Sequence, residues 1–202
     1  GANDFTLRLV VALIGALLPL SVLLLREHLR DGEVVVAAAF LAANPIVLYY
    51  SRFFRSTIPV AAFCFLAFAL LVRYYDTRRP RYFHAGILAL ALAFTAKENA
   101  AVYVLVWLGA GALVLDHELF RPRASDTGFQ RIGAAWTRTV RDRDLRDVLP
   151  RVIGHLLLSA AIFAAVILFF YAPRAGSPGG VGLYNALGNP GLFPEVVSAT
   201  ID

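Results

Sequence analysis

The chain has 202 residues, of which 59% are hydrophobic and 16% charged, and its mean hydropathy is +0.67. A soluble domain is close to half apolar and a quarter charged, so this balance excludes an ordinary water-soluble domain and indicates a polytopic membrane protein. In such a protein the net charge of +5 reports membrane topology rather than nucleic-acid binding. The single cysteine, Cys64, excludes an intrachain disulfide and a cysteine metal cluster.

Apolar segments follow one another along the chain and predict an all-α protein. They cover residues 7–25, 34–50, 58–72, 82–95, 100–115 and 152–171. The first, second and last are about long enough to cross a ~30 Å hydrocarbon core, and the third crosses if Arg73 snorkels. The fourth and fifth are short, and their length fits either a helical hairpin or one continuous helix. Within the second segment, Asn44-Pro45 predicts a kink because proline removes a backbone donor.

The distribution of basic residues favours the hairpin. If every segment spans, the loops 26–33, 73–81 and 116–151 lie on one side and carry most of the 19 basic residues. The positive-inside rule then predicts that these loops are cytoplasmic and that both ends of the chain are extracytoplasmic. The basic residues left on the outer side are Arg8, Arg52, Arg55, Lys97 and Arg174.

Four parts are predicted along the chain. Residues 1–115 form transmembrane helices, 116–151 a basic cytoplasmic loop, 152–171 a last span, and 172–202 an extracytoplasmic Gly/Pro-rich loop that stops without a closing element. In the cytoplasmic loop, apolar residues from Phe129 to Val140 recur at helical spacing. They predict an amphipathic helix on the membrane surface, and a solvated charged helix without a partner fits the pattern equally well.

The outer basic residues form two groups that predict a phosphate site. Arg52 and Arg55 follow the second segment, and Lys97 with Glu98 lies between the fourth and fifth. If these helix ends are neighbours, they form a cationic pocket with one carboxylate, which suits a lipid-linked phosphate. The alternatives are an interfacial anchor for "YYSRFFR" and a local ion pair or hairpin cap for Lys97-Glu98. No two histidines have a metal-ligand spacing, so no metal is assigned to histidine.

Several motifs in this order carry a resemblance to a known family: "LRLVVALIGALLPL", "LREHLRD", "NPIVLYYSRFFR", "DTRRPRY" and "ALAFTAKENA". The chain resembles the archaeal, especially haloarchaeal, multi-pass proteins known as flippase-activity-associated proteins of N-glycosylation. That family is similar to the GT-C membrane glycosyltransferases, the class of protein O-mannosyltransferases and aminoarabinose transferases. The resemblance covers most of residues 5–123.

The resemblance implies a partial GT-C-like fold, a polyprenyl-phosphate sugar donor and inverting sugar transfer on the extracytoplasmic face. It also implies other proteins of the glycosylation pathway as partners, besides the lipid bilayer. Carried onto this chain, Arg52, Arg55 and Lys97 would hold the phosphate, and Glu98 is the candidate catalytic or orienting carboxylate. The supporting residues would be Tyr50, Ser51 and Asn99. No organic cofactor is expected, and a requirement for a divalent cation stays open.

The chain departs from the resembled family in two places. Relatives have a first transmembrane helix and an acidic outer loop upstream of the part that matches Gly1, so the chain is expected to begin inside a longer architecture. Relatives also tend to read Asn-Asp where this chain has Ser56-Thr57. Two functions therefore stay open: sugar transfer from the polyprenyl-phosphate donor, and a non-catalytic accessory subunit that assists flipping or presentation of lipid-linked sugars. A transporter fragment is disfavoured because the sequence has no inverted repeat.

Overall fold

The computed structural model describes residues 4–53, 55–120, 145–172 and 182–201, and within these ranges the chain forms helices joined by turns, without strands. The helices are α1 (Asp4–Leu17), a first 3₁₀ helix (Leu18–Leu25), α2 (Asp31–Ala43), α3 (Pro45–Ser51), α4 (Thr57–Thr77), α5 (Pro80–Ala96), α6 (Ala100–Phe120), α7 (Leu145–Tyr171), α8 (Leu183–Gly188), a second 3₁₀ helix (Pro190–Leu192) and α9 (Phe193–Ile201). The prediction of an all-α protein is confirmed.

Three of the described stretches are long and apolar enough to cross a membrane: Arg8–Leu25, Thr57–Thr77 and Leu149–Tyr171. Helices α2 and α3 meet at an angle of 50° and add a fourth if they are counted as one broken span. The helix α5 and the apolar part of α6, Ala100–Val114, are shorter. The chain is therefore an all-α multi-pass membrane protein, whereas six spans stay a prediction.

The chain forms two compact units. One comprises Gly1–Ala100 with Ser159–Asp202, and the other comprises Ala101–Leu158. Helix α6 continues to Phe120 and α7 already begins at Leu145. Both helices therefore reach into the range 116–151 that was predicted as the basic loop. The amphipathic helix predicted over 129–140 lies outside the described residues, and the four predicted parts stay predictions.

The main packing contact of the first unit is the antiparallel hairpin of α4 and α5. Small residues are frequent among the buried positions of both helices, and in a membrane small residues let two helices approach closely. The small buried residues are Ala62, Cys64, Ala67 and Ala69 of α4 and Gly86, Ala89, Ala91 and Ala93 of α5. A Cβ placed on Gly86 would lie 3.3 Å from Leu71, and the rings of Tyr74 and Phe83 are 5.2 Å apart. These contacts set the register of the hairpin.

The first span changes helix type at its proline. Pro19 lies in the first turn of the 3₁₀ helix and has no N–H to donate to the preceding α-helical turn. The hydroxyl of Ser21 donates to the carbonyl of Leu18, which satisfies a buried polar group within the same segment. Both α1 and the 3₁₀ helix pack against α4, so the first span lies beside the hairpin.

An ion pair and a hydrogen bond join the turn after the first 3₁₀ helix to the end of α4. Arg73 donates a hydrogen bond of 2.8 Å from Nη1 to Oε1 of Glu27, and Nε2 of His28 lies 3.0 Å from Oδ2 of Asp76. The hydrogen bond from Arg73, together with its charge, lowers the pKa of Glu27. The loops 26–33 and 73–81, predicted to share one side of the membrane, therefore lie at the same end of the first unit.

Short helices also occur after α7, within the described residues 182–201. Ala172, at the end of α7, packs with Ala186 of α8 and Val196 of α9 in a small apolar core, against which Leu183 and Leu192 are partly buried. The turn-forming residues of this stretch predicted a loop, and its short helices were missed. Each is too short to show a clear helical period in the sequence.

Candidate functional site

The break between α2 and α3 sets the direction of α3, which leads into the first candidate turn, residues 52–56. Asn44 ends α2 and caps α3, since its Oδ1 accepts hydrogen bonds from the backbone N–H groups of Ile46 (2.9 Å) and Val47 (3.2 Å). Pro45 occupies the first position of α3, where its missing N–H leaves no helical hydrogen bond unmade. The kink predicted at Asn44-Pro45 is confirmed, and it is a capped break between two helices.

Ser51 seats the end of α3 on α1. Its hydroxyl donates a 2.6 Å hydrogen bond to the carbonyl of Val47, and its side chain lies directly against Gly15. A side chain at position 15 would overlap the Ser51 hydroxyl and would also touch Ile58, at 3.4 Å. This contact gives the half-buried Ser51 a packing role, and its predicted support of a substrate stays a prediction.

The first candidate turn, residues 52–56, is called here the arginine turn. The backbone N–H of Arg52 donates to the carbonyl of Tyr49 (3.2 Å), and that of Arg55 donates to Phe53 (2.8 Å). Both arginine side chains are exposed. The ring of Tyr49 packs edge-on against Tyr50, with centroids 5.2 Å apart, and in a tilted arrangement against Phe53, with centroids 4.9 Å apart. The arginines therefore flank an aromatic cluster, an arrangement typical of the membrane–water interface.

The second candidate turn, residues 97–99, is called here the lysine turn and joins α5 to α6. Lys97 has an extended backbone, with φ −167° and ψ 142°, and its N–H donates to the carbonyl of Ala93 (3.1 Å). Its own carbonyl accepts a hydrogen bond from Ala100, also at 3.1 Å. The Lys97 side chain is half-buried, whereas Glu98 and Asn99 are exposed.

The register of the α4–α5 hairpin places the two turns at the same end of the first unit. Gly86 lies against residues 67–71 of α4, and Lys97 follows it by eleven residues, about 16 Å along the helix at 1.5 Å per residue. The same distance back along α4, which runs in the opposite direction, reaches Ile58. Lys97 is therefore level with the first turn of α4, which directly follows the arginine turn.

The charges at this end are not neutralised within the described part of the chain. There, the side chains of Arg52, Arg55, Lys97 and Glu98 make no ion pair or side-chain hydrogen bond with another described residue. The local Lys97–Glu98 ion pair, one of the alternatives, is accordingly not formed. Three cations with one unengaged carboxylate can bind phosphate oxygens, because guanidinium groups bind them bidentately and an ammonium adds a compact charge.

Two further features bear on what the site can hold. Among the described residues, no three His, Cys, Asp or Glu side chains cluster as metal ligands. An apolar pocket of about 370 Å³ lies between the first span and α4, and the sequence pattern did not predict it. Its lining is Ile14, Leu17, Leu18, Leu20, Ser21, Leu24, Ala62, Phe63 and Leu66.

The fold defines a multi-pass helical membrane protein, and one end of its α4–α5 hairpin carries Arg52, Arg55 and Lys97 without an ion pair to a described carboxylate. Residues 1–128 match the family model described as dolichyl-phosphate-mannose-protein mannosyltransferase, and this range contains both candidate turns. The chain therefore belongs to this family of GT-C-like membrane glycosyltransferases. No curated protein and no solved structure matches the chain.

Membership of this family confirms the relation to GT-C glycosyltransferases that the sequence motifs implied. A lipid-linked sugar donor in a membrane follows from the family. The narrower resemblance to the archaeal flippase-activity-associated proteins stays a prediction.

Proposed function

We propose that the chain binds a polyprenyl-phosphate sugar at its arginine and lysine turns and transfers the sugar on the extracytoplasmic face of the membrane. One observation carries this proposal: Arg52, Arg55 and Lys97 stand at the same end of the α4–α5 hairpin without a carboxylate partner among the described residues. The membership of a family whose donors are lipid-linked sugars supports a phosphate as the counter-ion.

The chemistry follows from the charge that develops during transfer. The oxygen of the acceptor hydroxyl forms a bond to the anomeric carbon while the bond between that carbon and the phosphate oxygen breaks. Negative charge therefore grows on the departing phosphate oxygens. Arg52 and Arg55 would donate hydrogen bonds to these oxygens, and Lys97 would add positive charge, so all three stabilise the transition state more than the bound donor. Glu98 would accept the proton of the acceptor hydroxyl or orient Lys97.

The proposed depth and side of the membrane have separate support. The aromatic cluster beside the arginine turn suits head-group depth, where the phosphate of a lipid-linked donor lies. The excess of arginine in the loops at the other end favours an extracytoplasmic position for the two turns. Part of the donor's hydrocarbon chain would occupy the apolar pocket between the first span and α4.

A second function, an accessory subunit that presents or helps to flip lipid-linked sugars, is supported by the scarcity of carboxylates in the two turns. Glu98 is the one acidic residue within residues 52–56 and 97–99, and Ser56-Thr57 stands where the resembled family tends to have Asn-Asp. Such a protein would bind the donor and lack the base that an acceptor hydroxyl requires.

Membranes that contain the full chain and a radiolabelled polyprenyl-phosphate sugar test both functions. The double variant Arg52→Ala/Lys97→Ala is expected to lower transfer by roughly 100-fold or more, the effect of removing transition-state hydrogen-bond donors. Arg26→Ala, at the opposite end, removes an exposed arginine as the matched control and is expected to change transfer less than twofold.

Binding of the labelled donor is measured in the same membranes. Donor binding without transfer in the wild-type chain would support the accessory function. Transfer and binding that both survive the double substitution would contradict the proposed site.

A further inference from the structure

The turn between α4 and α5 carries cations that the described chain does not neutralise. Arg78, Arg79 and Arg81 are exposed and form no ion pair with any described carboxylate. The described carboxylates near the end of α4 are already engaged: Glu27 accepts a hydrogen bond from Arg73, and Asp76 of α4 shares a hydrogen bond with His28. Arg78, Arg79 and Arg81, called here the turn arginines, therefore present a concentrated positive charge.

Two of the turn arginines lie on tyrosine rings. The guanidinium carbon of Arg78 is 4.8 Å from the ring centroid of Tyr75, and that of Arg81 is 4.9 Å from the centroid of Tyr82. Arg81 also donates a 3.1 Å hydrogen bond to the Tyr82 hydroxyl. The flat face of a guanidinium that packs on an aromatic ring is held in place by that ring. The N–H groups at the edge of the guanidinium can still donate hydrogen bonds to an anion.

The backbone of Arg78 is unusual in a way that points to its side chain. Its φ is +52°, which no other described residue besides glycine adopts as a positive value. It caps α4 through a 2.8 Å hydrogen bond from its N–H to the carbonyl of Tyr74, a position where glycine is the usual residue. An arginine here is conformationally unfavourable relative to glycine, and such unfavourable backbone conformations occur often at functional positions.

The position of the turn limits the ligand to the membrane. It directly follows Thr77, the last residue of the span Thr57–Thr77, so its guanidinium groups lie at head-group depth whichever leaflet they face. Tyrosine and arginine together are typical of that depth. A lipid phosphate is concentrated in this plane, whereas a dissolved phosphate ion is not.

We propose that the turn arginines bind the phosphate of an anionic phospholipid head group. The site lies at the opposite end of the α4–α5 hairpin from the arginine and lysine turns, and it does not depend on the function proposed for them. The guanidinium edges of Arg78 and Arg81 and the free side chain of Arg79 would donate hydrogen bonds to the phosphodiester oxygens.

The test uses the full chain in nanodiscs of phosphatidylcholine with increasing amounts of phosphatidylglycerol, and native mass spectrometry counts the bound phosphatidylglycerol. The triple variant R78Q/R79Q/R81Q is expected to weaken its binding on the order of 100-fold, at about fivefold for each arginine near a charged membrane surface. Raising the salt from 0.1 M to 1 M is expected to weaken wild-type binding strongly.

Two control variants separate this site from general attraction and from misfolding. R26Q/R30Q removes exposed arginines at the same end of the unit, and it is expected to weaken binding much less than R78Q/R81Q. Arg78→Gly removes the cation while it relieves the left-handed backbone, so binding is expected to fall about fivefold with thermal stability unchanged or higher.

Three outcomes would overturn the proposal. Equal losses in R26Q/R30Q and R78Q/R81Q would indicate diffuse surface charge. If Arg78→Gly binds phosphatidylglycerol as tightly as wild type, or unfolds at a lower temperature than wild type, the role assigned to Arg78 is wrong. Displacement of the lipid by millimolar glycerol 3-phosphate would identify a site for soluble phosphates.

Discussion

Arg73 and Glu27, 46 positions apart in the sequence, share a 2.8 Å hydrogen bond that ties the end of α4 to the turn after the first 3₁₀ helix. The Arg73 side chain is largely shielded, whereas the Glu27 carboxylate is about half exposed. This pair, with His28 and Asp76 beside it, joins the first span to the hairpin at the end opposite the candidate phosphate site.

The pH dependence of stability follows from the Glu27 carboxylate. Because Arg73 lowers its pKa below the ordinary value of 4.5, the folded state binds this proton less readily than the unfolded state. The stabilisation is therefore complete above pH 4.5 and is lost as the pH falls through the lower folded-state pKa. We expect Glu27→Gln to melt at a lower temperature than wild type at pH 7, by a difference that becomes smaller as the pH is lowered below 4.5, measured by thermal unfolding in detergent. A gap that stays constant with pH would contradict this.

The close contact of Gly15 with Ser51 predicts a size-dependent loss of stability. Gly15→Val is expected to destabilise the chain by about 1–3 kcal/mol, because the added side chain meets Ser51 and Ile58. Adding Ser51→Gly should recover part of the loss. Gly109→Ala in α6 is the matched control, since open space surrounds Gly109 and the change is expected to be neutral or stabilising. Additive effects of the Gly15 and Ser51 changes would rule out the contact as the cause.

The cap at Asn44 predicts a second stability effect. Asn44→Ala removes the oxygen that accepts from two N–H groups at the start of α3, and it is expected to cost about 0.5–2 kcal/mol. Asn44→Asp keeps the acceptor and should retain most of the stability. Thermal unfolding of both variants measures the difference, and equal melting temperatures would contradict a capping role.

A buried polar pair connects α5 with α7. Nδ1 of His84 lies 2.9 Å from the hydroxyl of Ser159, which is almost fully buried. Ser159→Ala is expected to cost about 1 kcal/mol, the scale measured for polar contacts inside membrane proteins. Ser198→Ala, at an exposed serine, serves as the control and should leave the melting temperature nearly unchanged. A greater loss in Ser198→Ala would show that the buried pair contributes little.

Glu98 distinguishes the two functions considered for the chain. If it accepts the acceptor's proton, Glu98→Gln should lower kcat for transfer by about 100-fold or more and leave donor binding within twofold. The transfer assay with radiolabelled donor, run in parallel with a donor-binding measurement, gives both values. Wild-type kcat in the variant would remove Glu98 from the chemistry, and weakened binding alone would assign it to positioning Lys97.

Much of the site could be found from the sequence, although its arrangement could not. The cations Arg52, Arg55 and Lys97 stand out because arginine and lysine are rare at the predicted outer ends of apolar segments. The two turns lie at the same end of the α4–α5 hairpin because Gly86 packs against residues 67–71. This contact joins two separate segments, so neither segment predicts it alone. The sequence did not predict the apolar pocket, because the pocket forms between helices that are distant in the chain. It did not predict a site at the turn arginines either, because they were considered only in the count of basic residues that predicts topology.

The helical class, the membrane environment and the break at Asn44-Pro45 follow from the sequence alone. Each depends on residues close together in the chain: the length of an apolar run, or the donor that a proline lacks. Three relationships depended on the tertiary structure: the contact of Gly15 with Ser51, the pairing of Arg73 with Glu27, and the position of the two candidate turns at the same end of the α4–α5 hairpin. They arise where distant helices pack, and the closeness of that packing depends on side-chain volumes from both partners at once.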